Sequence, residues 1–417
     1  MSLLTPDARL LFAARFVRLF AYGALSVVLV FYLVGLGLSE TETGLLLTLT
    51  LAGDTLVALV LTTQADRIGR KRMLLVGAAL MAAAGIAFAF TAQFALLVVA
   101  GTIGVISPSG NEVGPFLPIE QAALSQVVPD RRRTDVFAWY QLNGAIATAI
   151  GELAAGFVTQ TLQRTTMSPQ ASYRAVVLVY AVAGAALAGL FLRLTPAAEA
   201  SSAQPLSPRP TRVRPLQFGV GIGRSRGIVL RLSALFALDS FGGGFVIQSL
   251  AAYWFYLRFG VEPRTLGALF FGANVLAGFS ALVASRIANR IGLLNTMVVT
   301  HLPSNVLLIL VPLMPTLPLA AAVLLARFSI SQMDVPTRQS YTMAVVSPEE
   351  RSAAAGITGV ARTTGAALSP MIAGVLFAHP TLINVPFYLA GGLKIAYDLI
   401  LYRAFRATRP PEETARR

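Results

Sequence analysis

EQAALSQVVPDRRRTDVFAWYQLNGAIATAIGELAAG, residues 120–156, returns as RQSYTMAVVSPEERSAAAGITGVARTTGAALSPMIAG, residues 338–374. Gln121, Val127, Val128, Arg133 and Gly156 recur without a gap as Gln339, Val345, Val346, Arg351 and Gly374, at an offset of 218 (339 − 121). A match of that length indicates two homologous halves. Two further echoes keep the same order. Leu11-Phe12-Ala13-Ala14-Arg15 faces Leu235-Phe236-Ala237-Leu238-Asp239, and Ala65-Asp66-Arg67-Ile68-Gly69 faces Ala288-Asn289-Arg290-Ile291-Gly292. A whole domain has been duplicated.

The composition places both halves in a bilayer. Hydrophobic residues make up 55% and charged residues 12%, with a mean hydropathy of +0.69, far from a soluble domain. Apolar stretches long enough to cross a hydrocarbon core of about 30 Å lie near 10–36, 43–65, 73–91, 94–127, 134–160 and 172–193. Six more follow near 228–258, 264–291, 293–312, 316–346, 350–378 and 383–404. A membrane β-barrel requires strands alternating apolar and polar, and Leu74 to Ala92 is apolar on every face. The expected fold is therefore all-α and integral to the membrane, with twelve transmembrane helices in two pseudo-symmetric six-helix halves. The first span is too long for a signal-peptide core and is expected to remain in the mature protein.

Arginines give the orientation, because short basic loops stay in the cytoplasm. Arg67, Arg70, Lys71 and Arg72 follow the second span, Arg131, Arg132 and Arg133 the fourth, and Arg209, Arg212, Arg214, Arg224 and Arg226 lie between the halves. Arg409, Arg416 and Arg417 end the chain, whereas the opposite loops are nearly bare. Both termini are expected in the cytoplasm, in a multi-pass protein of the cytoplasmic (inner) membrane. Residues 195–227, rich in Ser, Pro and Arg, read as a cytoplasmic linker between an N-terminal half (1–194) and a C-terminal half (228–417). The net charge of +14 sits beside the spans, where anionic lipid attracts it. The expected partners are the bilayer, a small molecule and protons, with no nucleic acid, for a chain acting as a monomer. Cysteine is absent, so no disulfide or thiolate metal site is available.

The loop after the second span reads Thr62-Thr63-Gln64-Ala65-Asp66-Arg67-Ile68-Gly69-Arg70-Lys71-Arg72-Met73-Leu74. With twelve spans in two like-oriented halves, it resembles the signature of the major facilitator superfamily. Thr62 and Gln64 depart from that signature at a glycine and a leucine. The resemblance implies that Asp66 meets the start of the eleventh helix, near Ser352, and that Asp66, Arg67, Arg70 and Lys71 act as a cytoplasmic gate. In the fifth span, Gly144 and Gly151-Glu152-Leu153-Ala154-Ala155-Gly156 resemble the glycine-rich motif of drug and metabolite:proton antiporters, with Glu152 where that motif has proline. The arginine expected in the fourth span is missing at Ala100-Gly101-Thr102, and Ala326-Arg327-Phe328 supplies such a sequence in the tenth.

Ionisable groups inside a bilayer are costly and turn toward partners or wet cavities. Arg15, Arg18, Glu112, Glu120, Asp239, Arg327, Asp334 and Arg338 fall in spans one, four, seven and ten, which the resemblance implies line the cavity. Equivalent repeat positions carry inverted signs, Arg15 against Asp239 and Glu120 against Arg338. That inversion predicts an Arg15–Glu120 and an Asp239–Arg338 bridge, or bridges across the cavity. Asp54 and Arg362 lie at like depth on spans two and eleven, which the resemblance implies face each other, and are expected to meet across the halves. Lys394 and Asp398, four residues apart, are expected to pair with each other.

Asp334 and Glu112 sit at polar breaks, Ser331-Gln332-Met333-Asp334-Val335-Pro336 and Ser107-Pro108-Ser109-Gly110-Asn111-Glu112-Val113-Gly114-Pro115. Broken helices at mid-membrane bind substrates and ions, and a carboxyl in such a cavity can take up and release a proton. Proton-coupling candidates are Asp334, Glu112, Asp239, Asp54 and Glu152. Cavity candidates are Arg18, Tyr22, Asn111, Trp254, Tyr256, Asn274, Arg327 and Gln332. No nucleophile constellation, metal cluster or nucleotide-binding glycine loop appears, and His301 and His379 are the only histidines. The expected function is secondary active transport without a cofactor, driven by a proton gradient in the sense of efflux. Alternatives are a metabolite-importing symporter or facilitator, and a non-transporting membrane scaffold.

Overall fold

A computed structural model describes residues 5–128, 133–165, 167–199, 223 and 225–408. Most of the expected linker, with Arg209, Arg212, Arg214 and Arg224, lies outside the described residues, as do Arg131, Arg132 and the tail arginines Arg409, Arg416 and Arg417. All regular structure among the described residues is helical. The N-terminal half comprises α1 (Pro6–Gly35), α2 (Glu40–Ile68), α3 (Arg70–Phe90), α4 (Phe94–Ile103), α5 (Phe116–Val127), α6 (Arg133–Arg164) and α7 (Pro169–Leu192). The C-terminal half comprises α8 (Arg226–Gly244), α9 (Gln248–Phe259), α10 (Pro263–Ile291), α11 (Leu293–Leu310), α12 (Leu317–Ser331), α13 (Asp334–Ala344), α14 (Arg351–Phe377) and α15 (Val385–Phe405).

Local chemistry sets the helix ends. The Thr5 and Ser168 hydroxyls accept from Ala8 and Ala171 N–H, and a proline follows each cap. Ser39 and Glu42 close a reciprocal capping box at α2. Gly69 (φ 116°) and Gly292 (φ 90°) turn the chain between α2 and α3 and between α10 and α11. Those positive φ values favour glycine, and the two residues occupy equivalent places in the third sequence echo.

Among the described residues, eight helical spans are long and apolar enough to cross a membrane, with α8 and α9 together forming one; α10, bent within its length, makes a ninth. The other three expected spans deviate for visible reasons. The fourth is split into α4 and α5 by residues 104–115, where Val105, Gly110 and Gly114 take positive φ. The tenth is interrupted only at Gln332 and Met333 between α12 and α13, and the twelfth, α15, carries Lys394, Asp398 and Arg403. The seventh span also breaks, at residues 245–247, after Gly242-Gly243-Gly244.

The halves are sewn together at the end opposite the termini. Tyr253 on α9 donates to Glu40 at the start of α2 (2.8 Å), and Gln160 on α6 donates to Glu262 beside α10. Phe31 packs edge-on against Tyr253 and Tyr256. Two helix pairs cross where glycine faces glycine, Gly44 against Gly374 and Gly156 against Gly267. A Cβ built on Gly374 would stand 2.9 Å from Gly44 Cα, and one on Gly156 3.0 Å from Gly267 Cα. Small residues at such crossings let backbones touch.

Gly374→Leu should therefore force this seam open. Overpacking costs about 1–3 kcal/mol, enough to shift a conformational ratio by roughly tenfold or more. The cysteine-free chain permits a direct test through Thr48→Cys, a buried site whose hydroxyl meets Met371 N–H at 2.9 Å. Labelling of that cysteine by an impermeant maleimide should accelerate in the Gly374→Leu background. An unchanged rate would refute the steric account.

Candidate functional site

Buried charges gather into one network per half. In the N-terminal half Arg18 is fully buried and grips Glu120 in a fork, Nη1 to Oε1 at 2.6 Å and Nη2 to Oε2 at 2.7 Å. Its Nε donates to Glu112 Oε1 at 2.8 Å. Arg15 reaches Glu112 Oε2 at 3.1 Å and donates to Gln141 at 2.6 Å. Tyr140 donates its hydroxyl to Glu120 at 2.5 Å and lies under the Arg15 guanidinium. A Cβ on Gly144 would stand 2.6 Å from Arg15 Nε, so this glycine makes room for the charge.

The predicted Arg15–Glu120 bridge is thus corrected. Arg15 and Arg18 share a helix face; the long break in the fourth span brings Glu112 back to Arg15, and Glu120 takes Arg18. Glu112, expected at an open ion site, is instead clasped by both arginines.

In the C-terminal half Arg338 Nη1 meets Asp239 at 3.0 Å and Asp334 at 3.3 Å. The Asp239–Arg338 bridge stands where repeat symmetry predicts it. Lys394 joins Asp239 at 2.6 Å, while Asp398 accepts from Asn305 at 2.9 Å and lies 2.8 Å from His301 Nδ1. The expected Lys394–Asp398 pair is therefore corrected: each has a better-aimed partner on another helix. His301 Nε2 stands 3.6 Å from Asp239, linking the two carboxylates.

Asp54 and Arg362 are not brought together. Asp54 Oδ1 is buried without a hydrogen bond, near Gly114 of the α4–α5 break. Arg362 faces its own half, where its charged neighbours are Arg338, Asp239 and Asp334. The gate residues hold to their own half as well. Asp66, largely exposed, pairs with Arg70 (2.8 Å), the Arg70 and Lys71 backbone N–H groups donate to Glu199, and Lys71 Nζ donates to the Leu192 and Leu194 carbonyls at the end of α7. Arg67 stays exposed. The side chain of Ser352 lies outside the described residues.

Between the halves lies a cavity of about 490 Å³, within the ~300–1,000 Å³ typical of small-molecule sites. Asn111, Asn274, Arg327 and Gln332 line it as expected, together with Asp239, Asp334, Arg338 and Arg362. Four expected residues do not. Tyr22 stacks on Tyr180 inside the N-terminal half, and Arg18 is consumed by its ion pairs. Trp254 donates to Asn384 and packs on Phe387, while Tyr256 sits half-exposed at the sewn end.

At the closed end of the cavity one carboxylate ties the halves together. Glu152 on α6 is fully buried, and its Oε1 accepts from Gln248 Nε2 on α9 and Asn274 Nδ2 on α10, both at 2.6 Å. Gln248 donates again to Ser26 on α1 at 2.8 Å, and Ser249 N–H donates to Pro108 O, joining the two broken spans. Glu152 Oε2 has no partner, and no cation pairs with Glu152 among the described residues. Sequence reasoning missed Gln248; the only available signal was a polar residue next to a glycine run inside an apolar span. No group of residues able to hold a metal ion occurs among the described residues.

Comparison with known proteins agrees with this geometry. The model of the Major Facilitator Superfamily matches residues 11–333 and 259–417. An uncharacterized membrane protein of Saccharomyces cerevisiae is 31% identical over 418 residues, covering 95% of this chain and 93% of its own. Among solved structures, a bacterial homolog of the human lysosomal transporter Spinster, inward-facing and unoccupied, superposes with a TM-score of 0.71 at 15% identity, over 95% of this chain and 94% of that one. The nucleoside transporter NupG gives 0.73 at 13% identity, over 96% and 100%, and a D-xylose-proton symporter 0.70 at 15%, over 95% and 97%. At these identities the likeness is one of fold.

Proposed function

This chain belongs to the Major Facilitator Superfamily, and from that premise we propose that it is a proton-coupled secondary transporter that moves a small molecule through the central cavity by alternating access. The observation that carries the reading is Glu152. It is a carboxylate held by amides of the opposite half, at the closed end of the cavity, with one oxygen free. As a carboxylate it accepts two charge-assisted hydrogen bonds, about twice as strong as neutral ones, and so clamps the halves. A proton arriving on Oε2 removes the charge, weakens both bonds and lets this end part. Gln248 and Asn274 line the cavity, leaving the proton one side chain away from solvent.

With the basic loops on the cytoplasmic side, the cavity faces the cytoplasm and the sewn end faces outward. The glycine-rich run around Glu152 supports efflux, a cytoplasmic solute leaving as a proton enters. A second reading, proton symport, is favoured by the surplus of cations in the cavity wall. In either case energy comes from the proton gradient.

Flux in reconstituted vesicles tests the proposal. With a pH gradient imposed, a transported solute should move protons in a fixed ratio, and its direction relative to the protons distinguishes antiport from symport. Asp334→Asn, which removes one carboxylate of the cavity wall and frees Arg338 of a partner, should lower solute affinity or rate and leave the sense of coupling unchanged. Solute crossing with no proton movement would reduce the protein to a facilitator.

A further inference from the structure

The cavity is electrically lopsided. Its N-terminal wall offers Leu51, Ser109 and Asn111, none of them charged, whereas the C-terminal wall presents Arg327, Arg338, Arg362 and Lys394 against only Asp239 and Asp334. Four cations against two carboxylates leave two positive charges in surplus, and the pairing shows which they are. Asp239 is taken by Arg338 and Lys394, and Asp334 by Arg338. Arg327 and Arg362 form no ion pair among the described residues. Each also holds a buried Nε–H without an acceptor, and Arg362 lies close enough to Arg338 for the two positive charges to oppose each other.

Unpaired donors on a charged group are costly to bury. Native proteins satisfy such groups, and the guanidinium fork matches carboxylate and phosphate oxygens. A cationic solute would meet the surplus charge, and an uncharged sugar would leave that charge uncompensated. We propose that the transported solute is a small anion carrying a carboxylate or phosphate group, and that Arg327 and Arg362 bind that group. The assignment rests on the transporter reading and adds to it the chemistry of the cargo. Break residues Asn111 and Gln332 supply neutral polar contacts for the remainder of such a molecule.

The full chain in nanodiscs of phosphatidylcholine provides the test. Its thermal midpoint should rise saturably with inorganic phosphate or citrate, and not with chloride at matched ionic strength, glucose or tetraphenylphosphonium. Arg327→Gln and Arg362→Gln should each weaken the apparent affinity by roughly tenfold to a hundredfold, the worth of one hydrogen bond to a charged group. Arg362→Lys, which keeps the charge, should retain part of the shift and shows that the position tolerates change.

Native apparent affinity in both glutamine variants would overturn the assignment. So would a response only to glucose or tetraphenylphosphonium. A rise in the midpoint on adding phosphatidylglycerol to the nanodiscs, with no response to the soluble anions, would make a lipid headgroup the ligand and overturn it too. Uptake into vesicles separates the two readings. A neutral or cationic solute that crosses while no anion binds defeats the anion assignment and leaves a transporter. Anion binding with no solute movement defeats the transporter reading.

Discussion

Arg18→Ala should remove most of the folded protein from the membrane. Arg18 is exposed to neither lipid nor water; it neutralises Glu120 through a two-pronged contact and shares Glu112 with Arg15. Deleting it leaves Glu120, itself fully buried, with only the Tyr140 hydroxyl. Breaking a buried ion pair from one side costs about 3–5 kcal/mol, a large part of a typical stability of 5–15 kcal/mol. The expected readout is loss of monodisperse protein on size exclusion and a thermal midpoint many degrees lower. Arg18→Met combined with Glu120→Leu removes one charge of each sign, keeps the Arg15–Glu112 contact and should recover much of the loss. The remaining deficit is the Tyr140 hydroxyl without its acceptor, about 1–3 kcal/mol, together with the contact that Glu112 Oε1 loses when Arg18 is replaced. If the single and double variants are equally unstable, the pair is not what holds this half together.

The Arg18 network also shows where sequence reading stops. Twelve spans in two halves were legible because hydropathy integrates over some twenty residues and because Gln121…Gly156 and Gln339…Gly374 repeat without a gap. The repeat even placed Asp239 against Arg338, since a shared register implies a shared depth. Register says nothing about the length of a break, however. Residues 104–115 of the fourth span form a twelve-residue irregular segment, while its counterpart in the tenth is two residues long, so Glu112 folds back to Arg15 with no analogue in the second half. Local spacing misled in the same way at Lys394 and Asp398. Four residues apart, they could pair, yet Asp239 and His301 on neighbouring helices stand closer to the charges. Amide side chains are the hardest to see, because Gln248 adds no charge to a composition profile and acquires its meaning only when α9 meets α6.

Glu152→Gln should uncouple transport from the proton gradient while leaving the fold in place. The glutamine carbonyl can accept from Gln248 and Asn274 where Glu152 Oε1 does now, so the closed end keeps both bonds in the weaker, neutral form that the protonated carboxyl also gives. What the variant lacks is an atom that gains and loses a proton at the seam. Coupling requires the proton to bind one conformation better than the other, and a permanently neutral side chain has no such difference to offer. A gradient of one pH unit supplies about 1.4 kcal/mol per proton, enough for roughly tenfold solute accumulation at a one-to-one ratio. The native protein should approach that ratio and Glu152→Gln should fall to about one, while solute exchange at equal pH continues in both. Gln248→Leu makes the informative contrast. It removes one donor from the clamp and keeps the carboxyl, so it should shift the balance between the two conformations yet still accumulate solute. Gradient-driven accumulation surviving in Glu152→Gln would move the coupling proton elsewhere. Asp54, also buried and without a cationic partner among the described residues, would be the next carboxyl to neutralise, and because it contacts only its own half the clamp mechanism would fall with that result.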